Sequence, residues 1–243
     1  ALQQDDDPVL LVLAADHVIS QITPFHQAIE CAVELAQTDQ LVTFGIVPNA
    51  PETGYGYIRS GEVVDKGYQV AQFVEKPDQE TAQDYLESGG YYWNSGMFCF
   101  RAAHYLDELS QYAPEMVQCC RQAVESGVDD LDFFRLAREP FLQSPSDSID
   151  YAVMEKTNCA AMVALDAGWN DIGSWSALWE IDDKDDNGNA QKGDVLLFDT
   201  RDTLVHAESR LVTTVGVDNL VIIETKDAVL VADKNEAQHV KTL

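Results

Sequence analysis

Asp171 is a single carboxylate set between two glycines and two indoles, in Gly168-Trp169-Asn170-Asp171-Ile172-Gly173-Ser174-Trp175. The glycines permit backbone geometry and close ligand approach that a side chain would block, and the tryptophans can wall a pocket or cap a core. Two readings stand: a working acidic group, or a structural turn into a helix starting near Trp175. Asp16 poses the same choice. It follows the apolar run Pro8 to Leu13, and ligands of open α/β sheets gather at the carboxyl ends of strands; the plainer role is an N-cap or turn aspartate. His17 beside it reads as a hydrogen-bonded structural residue. Glu75-Lys76-Pro77 puts an adjacent acid and base at a strand end, either as a positioned pair or as an exposed ion pair. Asn94 lies within Tyr91-Tyr92-Trp93-Asn94-Ser95-Gly96-Met97-Phe98. Its amide can donate and accept, as a sugar hydroxyl requires, or it can hold a buried loop. In Pro51 to Ile58 the sequence Gly54-Tyr55-Gly56 is either a loop that brings backbone amides to a ligand or a plain turn.

The elements that would carry these residues follow from periodicity. Pro8 to Leu13 and Leu41 to Val47 are continuous apolar runs, as expected of strands covered on both faces. Between them Thr23-Pro24 opens a helix with Phe25, Ile29, Ala32, Val33 and Ala36 on its apolar face. Strand, helix and strand in this order make a βαβ unit, so the sheet is expected to be parallel at its centre, with Pro8 to Leu13 a central strand. A short strand at Val70 to Val74 precedes a helix over 78–88 that closes on Gly89-Gly90. Helices are expected over Ala102 to Gln111, Pro114 to Ser126 and around Ile149 to Lys156, and a strand over Cys159 to Leu165. Asp182 to Asp194 is polar and acidic and reads as a linker. Its Asp183, Asp185, Asn187, Gly188 and Asp194 match EF-hand positions, but a strand follows where a second helix is required. Beyond it, β-rich runs beginning near Val195, Leu204, Leu211, Leu220 and Val229 predict a small solenoid or sandwich.

Composition bounds the function. With 42 acidic against 15 basic residues and a net charge of −27, most of this surface would repel a nucleic-acid backbone or an anionic membrane. Neither is an expected partner. The acidity fits either solubility in salt or a demand for divalent cations, and a phosphate substrate would need the few basic residues to work with a metal ion. Cys31, Cys99, Cys119, Cys120 and Cys159 form no C-x-x-C pair or zinc spacing, so they are expected to be reduced, mostly buried thiols of a cytoplasmic protein. No run is long and apolar enough to span a bilayer, and residues 1–7 are unlike a signal peptide.

Taken in order, the motifs ADH, ETGYGYI, FVEKP, YYWNSGMF, SIDYAVMEK, GWNDIGSW and KGDV resemble the mannose-1-phosphate guanylyltransferases, or GDP-mannose pyrophosphorylases, of the sugar-nucleotide pyrophosphorylases. The resemblance runs over essentially the whole chain. It implies an α/β fold: a Rossmann-like nucleotidyltransferase domain over 1–182 with a mixed, mainly parallel sheet, a linker over 183–194, and a small all-β, β-helix-like region over 195–243. It further implies attack of mannose 1-phosphate on the α-phosphorus of GTP, with release of pyrophosphate. Asp16 and Asp171 would hold a catalytic Mg²⁺, Lys76 would grip the sugar phosphate, and Glu75, Asn94 and the Gly54-Tyr55 backbone would bind sugar hydroxyls. Three departures accompany the match. The glycine-rich GGxGxRLxPLS loop, with its essential arginine, is not among these residues. Ala14 stands where the family commonly has proline, and no cupin-like isomerase domain follows. The expectation is therefore an amino-terminally truncated domain without the triphosphate loop or guanine pocket, which self-associates or is complemented by the missing segment. A non-catalytic sugar-phosphate-binding module, or a relative using another nucleotide or sugar, is the alternative.

Overall fold

The computed structural model describes residues 7–242; residues 1–6, read above as unlike a signal peptide, lie outside them. The chain divides into two compact units. One holds the described residues through Ala15 together with Ile19–Gly168, and the other holds Asp16–Val18 and the chain from Trp169 onward.

In the first unit the elements run β1 (Val9–Val12), β2 (Val18–Ile19, on the unit boundary), α1 (Ile22–Ala36), β3 (Leu41–Ile46), β4 (Tyr57–Val64), β5 (Gly67–Val74), α2 (Gln79–Ser88), β6 (Tyr91–Arg101), α3 (Ala102–Tyr112), α4 (Pro114–Glu125), β7 (Val128–Asp130), β8 (Phe133–Arg135), α5 (Arg138–Gln143), a π-helical turn (Asp150–Met154) and β9 (Ala160–Leu165). Six strands make one sheet in the order β1-β6-β3-β9-β5-β4. Only β3–β9 is a parallel ladder. The β1–β6, β3–β6, β5–β9, β4–β5 and β4–β6 ladders are antiparallel. The pair at the centre of the strand order is thus parallel, as expected, whereas the mainly parallel sheet that the resemblance implies is corrected, because the long strand β6 inserts between β1 and β3. For the same reason β1 lies at the end of the strand order and not at its centre, and Leu11, Val12 and Leu13 are exposed. Hydrophobicity marked β1 as a strand but could not say which strands flank it.

β3 is buried at all six positions, as its apolar run requires. α1 packs Phe25, Ala28, Ala32, Leu35 and Ala36, a face turned slightly from the expected one, with Ile29 and Val33 at its flanks. It starts at Ile22 without a side-chain cap, and Pro24 is tolerated because first-turn amides lack helical partners in any case. α2 lies where expected, and the Asp78 carboxylate caps it by accepting from Thr81 N at 2.8 Å. Where a helix was expected around Ile149 to Lys156, Asp150–Met154 form a π turn whose Ala152, Val153 and Met154 enter the core with Leu41, Phe98, Phe100, Leu109 and Val117. Of the cysteines, Cys99 and Cys119 are buried, Cys31 and Cys159 half-buried and Cys120 exposed. Burial pushes the Cys99 thiol up to about 11.

The second unit contains β10 (Trp169–Asn170), α6 (Trp175–Ile181), β11 (Ala190–Lys192), β12 (Val195–Phe198), β13 (Leu204–Ala207), β14 (Val212–Val215), β15 (Leu220–Glu224), β16 (Val229–Asp233) and a 3-10 helix (Lys234–Thr242). β11, β13 and β15 stack in parallel, as do β12 and β14. This is the solenoid alternative, with Ala190, Leu204 and Val221 superposed at its core. Thr200 and Thr214 bridge successive turns through their hydroxyls at 2.7 Å. Glu224 is buried, and hydrogen bonds from the Ser209 side chain and amide and from the Arg210 amide, with the Arg210 guanidinium beside it, hold its carboxyl down at about 2. Within the stretch read as a linker, Asp185 accepts from Asn187 N and Asn189 N at 2.9 and 2.8 Å. Its oxygens thereby close a turn into β11. Among the described residues no helix is long and apolar enough to cross a membrane.

Candidate functional site

The first unit gathers Glu75, Lys76 and Asn94. β4 and β6 are antiparallel neighbours, and beyond Tyr57 the ladder continues as Asn94 N donates to Gly56 O at 2.7 Å. Asn94 and Gly56 therefore face each other. A Cβ on Gly56 would collide with Glu75 Oε2 and lie 3.3 Å from Asn94 Cβ, so the glycine leaves room for the carboxylate. Glu75 follows β5 and has a side chain only 12% exposed, while Lys76 Nζ is 3.7 Å from its Oε1 and 61% exposed. Lys76 adopts a left-handed backbone, φ 47°, uncommon for a residue with a Cβ and a mark of imposed geometry. Glu75 Oε2 is buried with no hydrogen-bond partner among the described residues. Burial is the main cause that raises the Glu75 carboxyl above its ordinary range; the Asp150 charge adds to this, Lys76 opposes it, and Glu155 raises it further.

Asn94 is held on three sides. Its Oδ1 accepts from Thr43 Oγ1 at 3.1 Å and from Gly96 N at 3.3 Å, and its Nδ2 donates to Asp150 Oδ1 at 2.8 Å. The β3–β6 ladder shifts register between Thr43 and Gly45, and such bulges re-aim side chains next to sites. Tyr55 packs against the β6 neighbour of Asn94. Its ring meets Trp93 edge-on at 5.2 Å, and Trp93 points to the opposite face of β6 from Asn94. Gly54 is exposed, and a Cβ there would touch nothing within 4 Å. Asp150 and Thr43 carry no site signal in the sequence, and Gly56 stands out only within the Gly54-Tyr55-Gly56 loop. Only SIDYAVMEK, within the resemblance, drew attention near Asp150.

The second unit contains Asp16 and Asp171. Trp169 Nε1 donates to His17 Nδ1 at 3.2 Å with the rings edge to face, which links the segment of Asp16 to that of Asp171. Asp171 Oδ1 accepts from Gly173 N at 2.9 Å, and Asn170 Oδ1 accepts from Ile172 N at 2.7 Å. A Cβ on Gly173 would lie 2.8 Å from Asp171 Oδ2, so glycine is needed for the carboxylate to keep this position. Ile172 has φ 49°, a marked outlier for a β-branched residue. Ser174 then caps α6 by accepting from Ala177 N at 3.1 Å. No cluster of three or more His, Cys, Asp or Glu able to hold a metal occurs among the described residues. Mg²⁺ in general takes one or two carboxylates and completes its shell with water and substrate phosphate.

Residues 1–188 match the family model described as nucleotidyl transferase. The chain belongs to the nucleotidyl transferase family. Residues 193–243 match a second model, a MannoseP isomerase/GMP-like beta-helix domain, in keeping with the parallel stacking of β11 to β15. This nucleotidyl transferase is 54% identical over 242 residues to a mannose-1-phosphate guanylyltransferase of Escherichia coli (strain K12), covering 98% of the chain and 51% of that protein. A Klebsiella pneumoniae mannose-1-phosphate guanylyltransferase is 51% identical, over 99% of the chain and 52% of its own length. The chain thus spans about half the length of the curated relatives it matches. Among solved structures, one described as a mannose-1-phosphate geranyltransferase from Thermus thermophilus superposes with a TM-score of 0.86 at 32% identity, over 99% of this chain and 70% of that one. A mannose-6-phosphate isomerase from Helicobacter pylori matches with a TM-score of 0.63 at 37% identity, over 70% of this chain and 66% of its own.

Proposed function

We propose that this nucleotidyl transferase forms GDP-mannose and pyrophosphate from GTP and mannose 1-phosphate. The observation that carries the reading is the 54% identity, over 98% of the chain, to a protein named for that reaction. The geometry around Glu75 adds to it, since a buried carboxylate oxygen without a protein partner beside an amide is the environment a sugar hydroxyl satisfies.

In this reading Glu75 and Asn94 hold sugar hydroxyls, the Gly54-Tyr55 backbone lies along the sugar, and Lys76 binds the phosphate. A phosphate oxygen of mannose 1-phosphate attacks the α-phosphorus of GTP, the bond from that phosphorus to the bridging oxygen of the β-phosphate breaks, and pyrophosphate leaves with the electron pair. Two anions must be brought in line, so positioning and charge neutralisation supply most of the rate. Asp16 and Asp171 would hold Mg²⁺, which when bound supplies positive charge against the phosphate oxygens. Five cysteines without a disulfide suit a reducing, cytoplasmic setting.

The test is pyrophosphate release in Mg²⁺ with mannose 1-phosphate and each nucleoside triphosphate in turn, alongside calorimetric binding of mannose 1-phosphate. GTP-dependent release is expected, and Asp171→Asn should reduce it by about a hundredfold or more. Binding without release from folded protein would limit the reading to a sugar-phosphate-binding module. The absence of both binding and release, from folded protein, would overturn it.

A further inference from the structure

We infer that Asp150 is a positioning residue of the sugar-phosphate site, acting through the side-chain amide of Asn94. The inference rests on the reading of that site as one for a sugar phosphate and assigns a residue which that reading leaves out. A side-chain amide with two similar ends can turn over, so something must decide which end meets a ligand. At Asn94 the deciding partners are those with one hydrogen-bonding sense only. Gly96 N is a donor and lies 3.3 Å from Oδ1, and the Asp150 carboxylate is an acceptor 2.8 Å from Nδ2. The single hydrogen of Thr43 Oγ1 is shared between Asn94 Oδ1 at 3.1 Å and Met97 O at 3.3 Å, so it supports this orientation without deciding it. With its oxygen taken by Gly96 N and facing Thr43 Oγ1, and one amide hydrogen held by Asp150, Asn94 turns its second N–H to a ligand. It is therefore a donor at this site and not an acceptor. The acceptor is Glu75 Oε2, buried and unpartnered, against the same Gly56 that faces Asn94. A hydroxyl that accepts from Asn94 and donates to Glu75 satisfies both.

Asp150 is itself held firmly. It opens the π turn, its carbonyl accepts from Glu155 N at 2.9 Å, and the next positions, Ala152 to Met154, are buried in the core. Single π turns recur at functional sites because they re-aim one side chain without ending a helix. The charge of Asp150 also acts on Glu75, which Lys76 and Glu155 face as well.

Two variants separate geometry from charge. Asp150→Ala removes the acceptor, whereas Asp150→Asn keeps an oxygen that can take the Asn94 hydrogen. Affinity for mannose 1-phosphate, read by calorimetry, should fall about tenfold in Asp150→Ala, the scale of one charge-assisted hydrogen bond. It should stay within about threefold of the parent in Asp150→Asn, a neutral but still hydrogen-bonded pair. In parallel, the Asn94 side-chain amide resonances should show one slowly exchanging hydrogen in the parent and in Asp150→Asn, and lose it in Asp150→Ala. Unchanged affinity in Asp150→Ala, or equal weakening in both variants, overturns the inference. If the parent binds no mannose 1-phosphate, the functional reading fails, and the amide resonances alone decide: no change in Asp150→Ala overturns the role of Asp150.

Discussion

Glu75 combines stability and function in opposition. Burial and the Asp150 charge raise its carboxyl above the ordinary value of 4.5, so the native state keeps the proton to higher pH than the unfolded chain does. Stability therefore falls as pH rises from the ordinary value through the native one, and the loss persists at neutral pH. Glu75→Gln should raise the melting temperature at pH 7, with the gain vanishing below about pH 4, where both states hold the proton, and it should weaken mannose 1-phosphate binding. Melting curves across that pH range test it; a difference independent of pH would contradict the burial account. At this scale the sequence was informative about residue type. Asp16, Asp171, Glu75, Lys76 and Asn94 stand out by composition of their surroundings alone, and Glu75, Lys76 and Asn94 do lie close together. Asp150 and Thr43 do not stand out, because an aspartate in an amphipathic stretch and a threonine in a buried strand have ordinary neighbours in the chain. Their partner is 56 residues away in one case and 51 in the other.

Among the elements, β3 and β6 define the site, since the register shift between Thr43 and Gly45 governs how Thr43 and Asn94 meet. Gly45 is required there by space. A Cβ would lie 2.9 Å from both Met162 Cγ and Tyr92 Cβ and would run into Met162 Sδ. Gly45→Ala is expected to cost about 1–3 kcal/mol, the range for overpacking a core. Gly54→Ala, which meets nothing, should change stability by no more than about 0.5 kcal/mol. Denaturant midpoints of the two variants check both values, and equal midpoints would refute the packing argument. Some helix and strand positions were legible, among them α2, β9 and the solenoid strands that start at Val195, Leu204, Val212, Leu220 and Val229, whereas β6 was not read as a strand. The β4–β5 hairpin was read only in its last residues, because its alternation is interrupted where the ladder slips.

Over the whole molecule, a net charge of −27 opposes association, while the β1 end of the main sheet and exposed Leu11, Val12 and Leu13 favour it. Self-association is therefore expected to grow as salt is raised toward about 0.5 M, where repulsion beyond a few ångströms is screened. Sedimentation measures this, and a monodisperse monomer at every salt concentration would count against it. The sequence by itself marked the residue types of the candidate site, the family, and strands such as β1, β3, β9 and those of the solenoid, because residue type, turn signals and apolar period are properties of neighbours along the chain. Tertiary structure alone decided that β6 lies between β1 and β3, that most ladders are antiparallel, and that Asn94 turns its nitrogen to Asp150. Those outcomes depend on which distant segments pair and in which register. A local pattern of burial is equally compatible with several such pairings, and only packing selects one.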